Sequence, residues 1–191
     1  TLMSKEGEKT IIVGHDVRLT SESLTNALIE GIISTGMNVI DIGICVTPMT
    51  YFAREYLKIK PSIMVTASHN PKEYNGFKIS YNGIHNMFGK DVSDLYYVII
   101  NGIYSGTDHL ALNGITLSIE KGEFIVSENK GTVEKKSLKN AYINDILNKV
   151  KLGDRKLKVA IDCGSGAGSL FAEELFRKLG VEVLPVCCEP D

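Results

Sequence analysis

The chain has 191 residues, of which 43% are hydrophobic and 23% are charged, and its formal net charge is −2. This length allows one full domain and part of a second, and the composition is that of a globular protein and not of a disordered one. A net charge so close to zero gives no basic field for a nucleic-acid backbone, so we expect no nucleic-acid partner.

The sequence carries no recognisable membrane or secretion signal. No run approaches the ~18 apolar residues of a membrane-spanning helix, and the opening TLMSKEGEKT lacks the apolar core of a signal peptide. We therefore expect a cytoplasmic protein with no membrane partner. The four cysteines form no C-x-x-C pair, which disfavours a zinc or redox motif and predicts idle reduced thiols at Cys45, Cys163, Cys187 and Cys188.

Strand patterns recur through the first half of the chain. Apolar, β-branched runs predict buried strands at 10–14 (TIIVG), 37–43 (MNVIDIG) and 62–66 (SIMVT). Residues 76–81 (GFKISY) alternate apolar and polar side chains, which predicts a half-buried strand after the bend at Asn75-Gly76.

Helix patterns separate these strands. Apolar residues at helical spacing predict three helices: one capped by Ser21 and ending near Gly36, one from Thr47 to Leu57, and one from Lys90 to Ile100. Alternation of strands and helices predicts an α/β layered fold.

The second half of the chain begins with a weaker pattern. Residues 105–139 are rich in Gly, Lys and Glu and are interpreted as a crossing into a new domain, which opens with an amphipathic helix at 138–150. A β-α-β unit follows: a strand at 157–162, a Gly-rich turn at 163–169, a helix at 170–180 and a strand at 181–186. Two strands do not make a stable sheet alone, so we expect this second domain to be incomplete.

Two features of the Gly-rich turn argue against a nucleotide site. Ser169 stands where a dinucleotide-binding loop requires its third glycine, and no Lys-Ser or Lys-Thr follows as a Walker A loop requires. A tight strand-to-helix turn is the better interpretation.

The segment Thr66 to Lys78 (TASHNPKEYNGFK) is the most informative stretch for chemistry. It places the hydroxyl of Ser68 beside the imidazole of His69 on a loop at a strand end, where open α/β sheets commonly carry function. A serine hydroxyl needs a base to become a nucleophile, whereas a phosphoserine carries about −1.5 to −2 charge and needs cationic partners. From residue types alone, a turn-stabilising Ser-His pair explains the motif equally well.

The order T-A-S-H-N-P and then Y-N-G-F-K resembles the phosphoserine loop of the α-D-phosphohexomutase family, which contains the phosphoglucomutases and phosphomannomutases. VGHDVRLTS and DIGICVTPM resemble first-domain segments of that family, and VAIDCGSGAGS resembles the start of its second domain. The resemblance implies a layered α/β/α domain with a mixed sheet at residues 1–137, followed at 138–191 by the first β-α-β unit of a second, similar domain.

The resemblance also implies roles for three residues. Ser68 would carry a phosphoryl group, give it to a hexose monophosphate, and take one back from the hexose 1,6-bisphosphate; one Mg²⁺ would bind an oxygen of this phosphate. His69 and Lys78 match residues beside the transferring group, which position oxygens or act as acid and base. Without the resemblance, Lys78 would be interpreted as a solvated lysine on the polar face of its strand.

Two further residues are expected to support the phosphate-bearing loop. They are Arg18, which could pair either with Asp16 or with the loop itself, and Asn70.

The expected function is interconversion of hexose 1-phosphate and hexose 6-phosphate, with glucose, mannose or both as the sugar. Thr66 favours the hexose branch over the phosphoglucosamine branch. The family's D-G-D-x-D-R magnesium loop does not occur in the sequence, so aspartate ligands are expected beyond Asp191, and the chain by itself is expected to be inactive.

Two other functions stay open. A naturally short, non-catalytic binding or regulatory module with the same fold would lack the chemistry. A serine hydrolase using Ser68 and His69 is disfavoured, because sequence neighbours on a strand-like loop are expected to point apart and no G-x-S-x-G motif occurs.

Overall fold

The computed structural model describes residues 7–81, 86–100 and 129–190. A five-stranded sheet consists of β1 (Thr10–His15), β2 (Asn38–Ile44), β3 (Ser62–Val65), β4 (Phe77–Ser80) and β5 (Val133–Lys135), and a two-stranded sheet consists of β6 (Lys158–Asp162) and β7 (Glu182–Val186). The helices are α1 (Ser21–Ser34), α2 (Thr47–Leu57), α3 (Lys90–Ile100), α4 (Lys139–Lys149) and α5 (Ala172–Lys178). None of the helices in these ranges has the length and apolar character needed to span a membrane.

The larger sheet has the strand order β4-β3-β1-β2-β5. Parallel pairing joins β1 to β2, β1 to β3 and β2 to β5, whereas β4 runs antiparallel to β3. A helix crosses over between β1 and β2 and between β2 and β3, so that β2 and β3 lie parallel on either side of β1. The loop of residues 66–76, here called the Ser68 loop, is short enough to return the chain antiparallel. The mixed sheet expected from the sequence is confirmed.

The central strand β1 divides the core into two layers. Because side chains alternate across a strand, Ile11 and Val13 pack on one face of the sheet with Ile29 of α1, and Ile12 packs on the other with Met49 of α2. Helices therefore cover both faces of the sheet, and the α/β/α layering expected from the sequence is confirmed.

Helix α4 connects the β6/β7 unit to the larger sheet. Leu138, directly before α4, is buried in the same core layer as α2. Tyr142 of α4 makes edge contacts at 5.5 Å between ring centroids with Phe52 of α2 on one side and Phe171 on the other. Edge contacts between aromatic rings have a preferred geometry, so they favour one arrangement of α4 against α2 and against the segment at Phe171. The domain boundary between residues 137 and 138 stays a prediction.

Three local features differ from the sequence expectations. The segment expected as a crossing, 105–139, contributes strand β5 to the larger sheet, and its residues 105–128 lie outside the described part. Strand β5 has three residues, all exposed at the sheet edge, and so offers no apolar pattern to find. The helix expected at 170–180 begins as a 3-10 turn at Ala167–Leu170 and becomes α-helical only in α5. Ser21 begins α1 without capping it, and Thr20 at the cap position makes no side-chain cap hydrogen bond.

Gly131 lets the chain pass close to the start of β2. Its N–H donates to Ile33 O at 2.8 Å, and the next residue, Thr132, donates its N–H to Asn38 Oδ1 at 2.9 Å. A Cβ at position 131 would lie 1.8 Å from Met37 O, far inside van der Waals contact with a backbone atom. Only glycine permits this approach.

We expect Gly131→Ala to detach or displace β5. A backbone contact cannot be relieved by a change of side-chain rotamer, so the loss in unfolding free energy is expected to be at least about 1–3 kcal/mol, as for an overpacked core. Gly153→Ala is the matched control, because a Cβ there meets nothing within 4 Å. Urea denaturation of both variants tests this, and equal midpoints would contradict the close approach.

Candidate active site

The carboxyl ends of β1, β2 and β3 meet at one edge of the larger sheet because these strands are parallel. Open α/β sheets bind ligands at this edge. A cavity of about 890 Å³ opens there, and its lining comes from the loops after these strands, from Lys78 of β4 and from residues 164–167 of the Gly-rich turn. All five residues singled out from the sequence line this cavity: Arg18, Ser68, His69, Asn70 and Lys78.

The carboxylate of Asp16, just after β1, joins the elements around the cavity. It accepts hydrogen bonds from the hydroxyl of Ser21, from Thr66 Oγ1 at 2.7 Å, and from the backbone N–H and Nε of Arg18 at 3.1 and 3.2 Å. The Ser21 hydroxyl accepts a further bond from Asn75 Nδ2 at 2.9 Å. One carboxylate thus fixes the end of β1, the start of α1 and both ends of the Ser68 loop.

Arg18 holds the Ser68 loop by its backbone carbonyls. Nη1 donates to Pro71 O at 2.7 Å and Tyr74 O at 3.2 Å, and Nη2 donates to Ser68 O at 3.0 Å and Asn70 O at 2.8 Å. With Nε on the carboxylate described above, all five N–H donors of the guanidinium are engaged. Arg18 therefore makes both of the pairings that were considered from the sequence, one with Asp16 and one with the Ser68 loop. Lysine has three donors at a single point and could not reproduce this arrangement.

Ser68 sits on a constrained turn of this loop. Its φ of +56° is in the left-handed region, which costs a non-glycine residue about 1 kcal/mol or more. Thr66 Oγ1 accepts the Ser68 N–H at 3.0 Å, and Arg18 holds the Ser68 carbonyl, so the surrounding contacts offset this cost. The turn leaves the Ser68 side chain exposed at the cavity.

His69 lies beside the Ser68 hydroxyl. Ser68 Oγ and His69 Nδ1 are 3.1 Å apart, within hydrogen-bond distance. The expectation that these neighbours point apart is wrong, because the left-handed turn at Ser68 removes the alternation of an extended chain. In residues 7–81, 86–100 and 129–190, no Asp or Glu forms a hydrogen bond or ion pair with His69. The orienting carboxylate of a hydrolytic triad is therefore missing from the described part.

Lys78 reaches the cavity from β4. The side chain is half-buried, and Nζ donates to Thr47 Oγ1 at 3.4 Å, at the first residue of α2. The Asn70 side chain is exposed, while its backbone N–H donates to Ala67 O at 3.1 Å. Asn70 thus contributes to the site through its backbone, and the catalytic role expected for Lys78 stays a prediction.

The cavity has an excess of positive charge. Lys72 and Lys78 line it together with the N-terminal end of α2, and Asp16, which carries the one carboxylate that lines it among the described residues, is paired with Arg18. Cationic side chains and the N-terminus of a helix both favour an anion such as a phosphate group. The sequence analysis did not predict Lys72 and Thr47 as site residues. Thr47 could have been found, because Thr47-Pro48 marks the start of a helix that follows a strand.

The described residues do not form a magnesium site by themselves. No group of three or more His, Cys, Asp and Glu side chains suited to a metal ion occurs within the described ranges. Mg²⁺ prefers carboxylate and phosphate oxygens, and the carboxylate at the cavity, Asp16, is already engaged by its neighbours. The expectation of Mg²⁺ at a Ser68 phosphate therefore rests on the resemblance alone.

Cys45, which follows β2, lies at the buried side of the cavity. Burial raises the pKa of its thiol from 9.0 to about 12, and the carboxylates of Asp16 and Asp41 act in the same direction. Cys45 is thus protonated at neutral pH and is unsuited to act as a nucleophile.

Fold and site together define an α/β/α layered protein with a serine-bearing loop beside a cavity of about 890 Å³ that has an excess of positive charge. Residues 1–99 match the model described as phosphoglucomutase/phosphomannomutase, alpha/beta/alpha domain I, and residues 140–191 match the corresponding domain II. The chain belongs to the phosphoglucomutase/phosphomannomutase family.

Individual relatives agree with this assignment. The chain is 37% identical to a phosphomannomutase/phosphoglucomutase of Pseudomonas putida, over 97% of the chain and 35% of the relative. It is 34% identical to a probable phosphoglucosamine mutase of Methanobrevibacter smithii, over 96% of the chain and 37% of the relative. A crystal structure of a family protein from Burkholderia thailandensis superposes with a TM-score of 0.75 at 28% identity, over 99% of the chain and 38% of that protein. The chain thus spans little more than a third of the length of these proteins.

We expect Arg18→Lys to loosen the Ser68 loop. Loss of hydrogen bonds from a charged donor should lower the unfolding free energy by about 1–3 kcal/mol, and amide hydrogen exchange should accelerate at residues 68–76. Arg155→Lys makes the same change at an exposed arginine and serves as the control. An exchange profile shared by the two variants would refute the clamp.

The pKa of Cys45 predicts a pH dependence of stability. The unfolded chain loses this proton near pH 9, whereas the folded chain retains it until about pH 12. The stability from the protonated thiol is therefore complete below pH 9 and is lost as the pH rises from 9 towards 12, by about 1.4 kcal/mol per pH unit.

Urea denaturation near pH 8 and near pH 10 checks this expectation. Cys45→Ala should lose less stability than the wild type between the two conditions, because other groups titrate equally in both proteins. Equal losses in the two proteins would show that the Cys45 thiol is not so strongly shifted.

Proposed function

We propose that this chain supplies the phosphoserine-bearing part of a phosphohexomutase, an intramolecular phosphotransferase that interconverts hexose 1-phosphate and hexose 6-phosphate. The observation that carries the proposal is the position of Ser68: its hydroxyl stands on a turn clamped by Arg18, within 3.1 Å of His69 Nδ1, at a cavity with excess positive charge. Phosphoryl transfer depends mainly on such positioning and electrostatic stabilisation.

The proposed chemistry consists of two phosphoryl transfers, one from Ser68 to the sugar and one from the sugar back to Ser68. The bond from phosphorus to Ser68 Oγ breaks as a sugar hydroxyl attacks, which gives a hexose 1,6-bisphosphate, and the serine later takes the other phosphoryl group back. When Ser68 Oγ leaves or attacks, His69 is close enough to donate or accept its proton. Lys78 and Lys72 would offset the negative charge of the phosphate in both steps.

The proposed ligands are a hexose phosphate substrate and a hexose 1,6-bisphosphate activator. The names of the relatives include mutases of phosphorylated glucose, mannose and glucosamine. We propose glucose, mannose or both as the sugar, because Thr66 favours the hexose branch over the phosphoglucosamine branch. Because the D-G-D-x-D-R loop that the resemblance implies for Mg²⁺ does not occur in the sequence, we expect phosphoryl transfer to this chain alone to be slow, and the chain alone to be inactive as a mutase.

Incubation of the protein with a hexose 1,6-bisphosphate tests the proposal. Peptide mass spectrometry is expected to find one phosphoryl group on Ser68, and Ser68→Ala should lose it entirely. Ser165→Ala removes another hydroxyl from the lining of the same cavity and should leave the labelling unchanged. Labelling that persists in Ser68→Ala would overturn the assignment.

Two other results would favour the alternative functions. A wild-type chain that binds hexose phosphate but is never phosphorylated would support the non-catalytic module. The short distance between Ser68 and His69 keeps the serine hydrolase as a second candidate, and labelling of Ser68 by a fluorophosphonate probe would support it.

A further inference from the structure

Two cysteines, one after each strand of the β6/β7 unit, meet beside the cavity. Cys163 follows β6 directly, Cys188 lies two residues after β7, and their sulfurs are 3.1 Å apart. The two strands are parallel, with Asp162 opposite Val186, so the chain leaves both strands at the same edge. The sequence expectation of idle thiols did not anticipate this meeting.

The backbone at Cys187 selects which thiol meets Cys163. Cys187 has a φ of +46°, in the left-handed region, and its side chain is exposed. This turn bends the chain so that Cys188, and not Cys187, lies against Cys163. Cys188 is positioned to donate its S–H to Cys163 Sγ or to Ile161 O at 3.4 Å.

The surroundings favour the protonated form of the Cys163 thiol. Burial, and then the hydrogen bond with Cys188, raises the pKa of Cys163 to about 11, so this thiol keeps its proton at neutral pH. The nearby Ser169 hydroxyl lowers this pKa to a smaller extent; its oxygen is buried and makes no hydrogen bond within the described part of the chain.

We propose that Cys163 and Cys188 are the site of a reversible intramolecular disulfide, formed by exchange with a small disulfide of the glutathione class. The sulfur of one cysteine of the pair attacks one sulfur of that disulfide and releases one small thiol. The other cysteine then attacks the mixed disulfide and releases the second small thiol. Both cysteine protons end on the two small thiols, and the small disulfide takes up the two electrons. The sulfurs must approach by about 1 Å to reach the bond length of about 2.05 Å.

The bond would restrain the cavity lining. Residues 164–167 line the cavity directly after Cys163. The turn already depends on both cysteine segments, since Gly166 N–H donates to Cys163 O at 2.9 Å and Ser165 N–H donates to Cys187 O at 2.8 Å. A covalent link between the segments would limit the separation of the turn from β7. This proposal is independent of the phosphotransferase assignment.

Oxidation with glutathione disulfide, followed by non-reducing peptide mapping, tests the bond. The wild type is expected to lose two of its four thiols and to yield a linked peptide pair containing Cys163 and Cys188. Cys187→Ser, which removes the exposed neighbour, should give the same pair, whereas Cys163→Ser and Cys188→Ser should not. Dithiothreitol should restore all thiols.

Hydrogen exchange of the oxidised and reduced forms tests the effect on the turn. Amides of residues 164–169 are expected to exchange more slowly after oxidation in the wild type and in Cys187→Ser, and unchanged exchange would overturn the restraint. A map that shows Cys187 in the linked pair, only mixed adducts with glutathione, or only links between chains would overturn the proposed site.

Discussion

The carboxylate of Asp16 is the interaction on which the candidate site depends. It stands at the end of the central strand and accepts hydrogen bonds from α1, from Thr66 and from Arg18. A half-buried charge is tolerated because it is paired and its oxygens are hydrogen-bonded. Without this carboxylate, the Arg18 guanidinium and the Thr66 hydroxyl would each lose a hydrogen-bond partner where little water reaches them. The loss in folding free energy would therefore exceed that of one ion pair.

The order of dependence runs from this carboxylate to the reacting group. Asp16 orients Arg18, Arg18 fixes the carbonyls of the Ser68 loop, and that loop holds Ser68 in a conformation that it would not adopt unaided. Because β1 and β3 are parallel, Asp16, which follows β1, and Ser68, which follows β3, lie at the same edge of the sheet. The site is thus built on regular structure even though its serine lies on a loop, and this limits the mobility of the hydroxyl.

Buried, regular elements were the part of the fold that the sequence could predict. Strands β1, β2 and β3 and helix α2 were found because burial demands apolar runs and helix starts favour Pro. Strand β5 was not predicted because it is an exposed edge strand of three residues held by backbone hydrogen bonds. Such bonds do not require any particular side chain, so the sequence shows no apolar pattern there. In the site, residue types and a family resemblance identified Ser68, His69 and Lys78. The short distance between Ser68 Oγ and His69 Nδ1 depends on the positive φ of Ser68, which no sequence periodicity reveals. The same holds for Cys163 and Cys188, which meet because of the positive φ of Cys187.

The arginine clamp also fixes the orientation of the peptide units in the Ser68 loop. In a trans peptide the N–H points opposite to the C=O, and the described residues contain no cis bond. Because the carbonyls of Ser68 and Pro71 face Arg18, the N–H groups of His69 and Lys72 face away from it. The loop therefore turns the positive ends of these two peptide dipoles outward, so an arginine whose own donors are all engaged still leaves a partial positive charge on the far side of the loop.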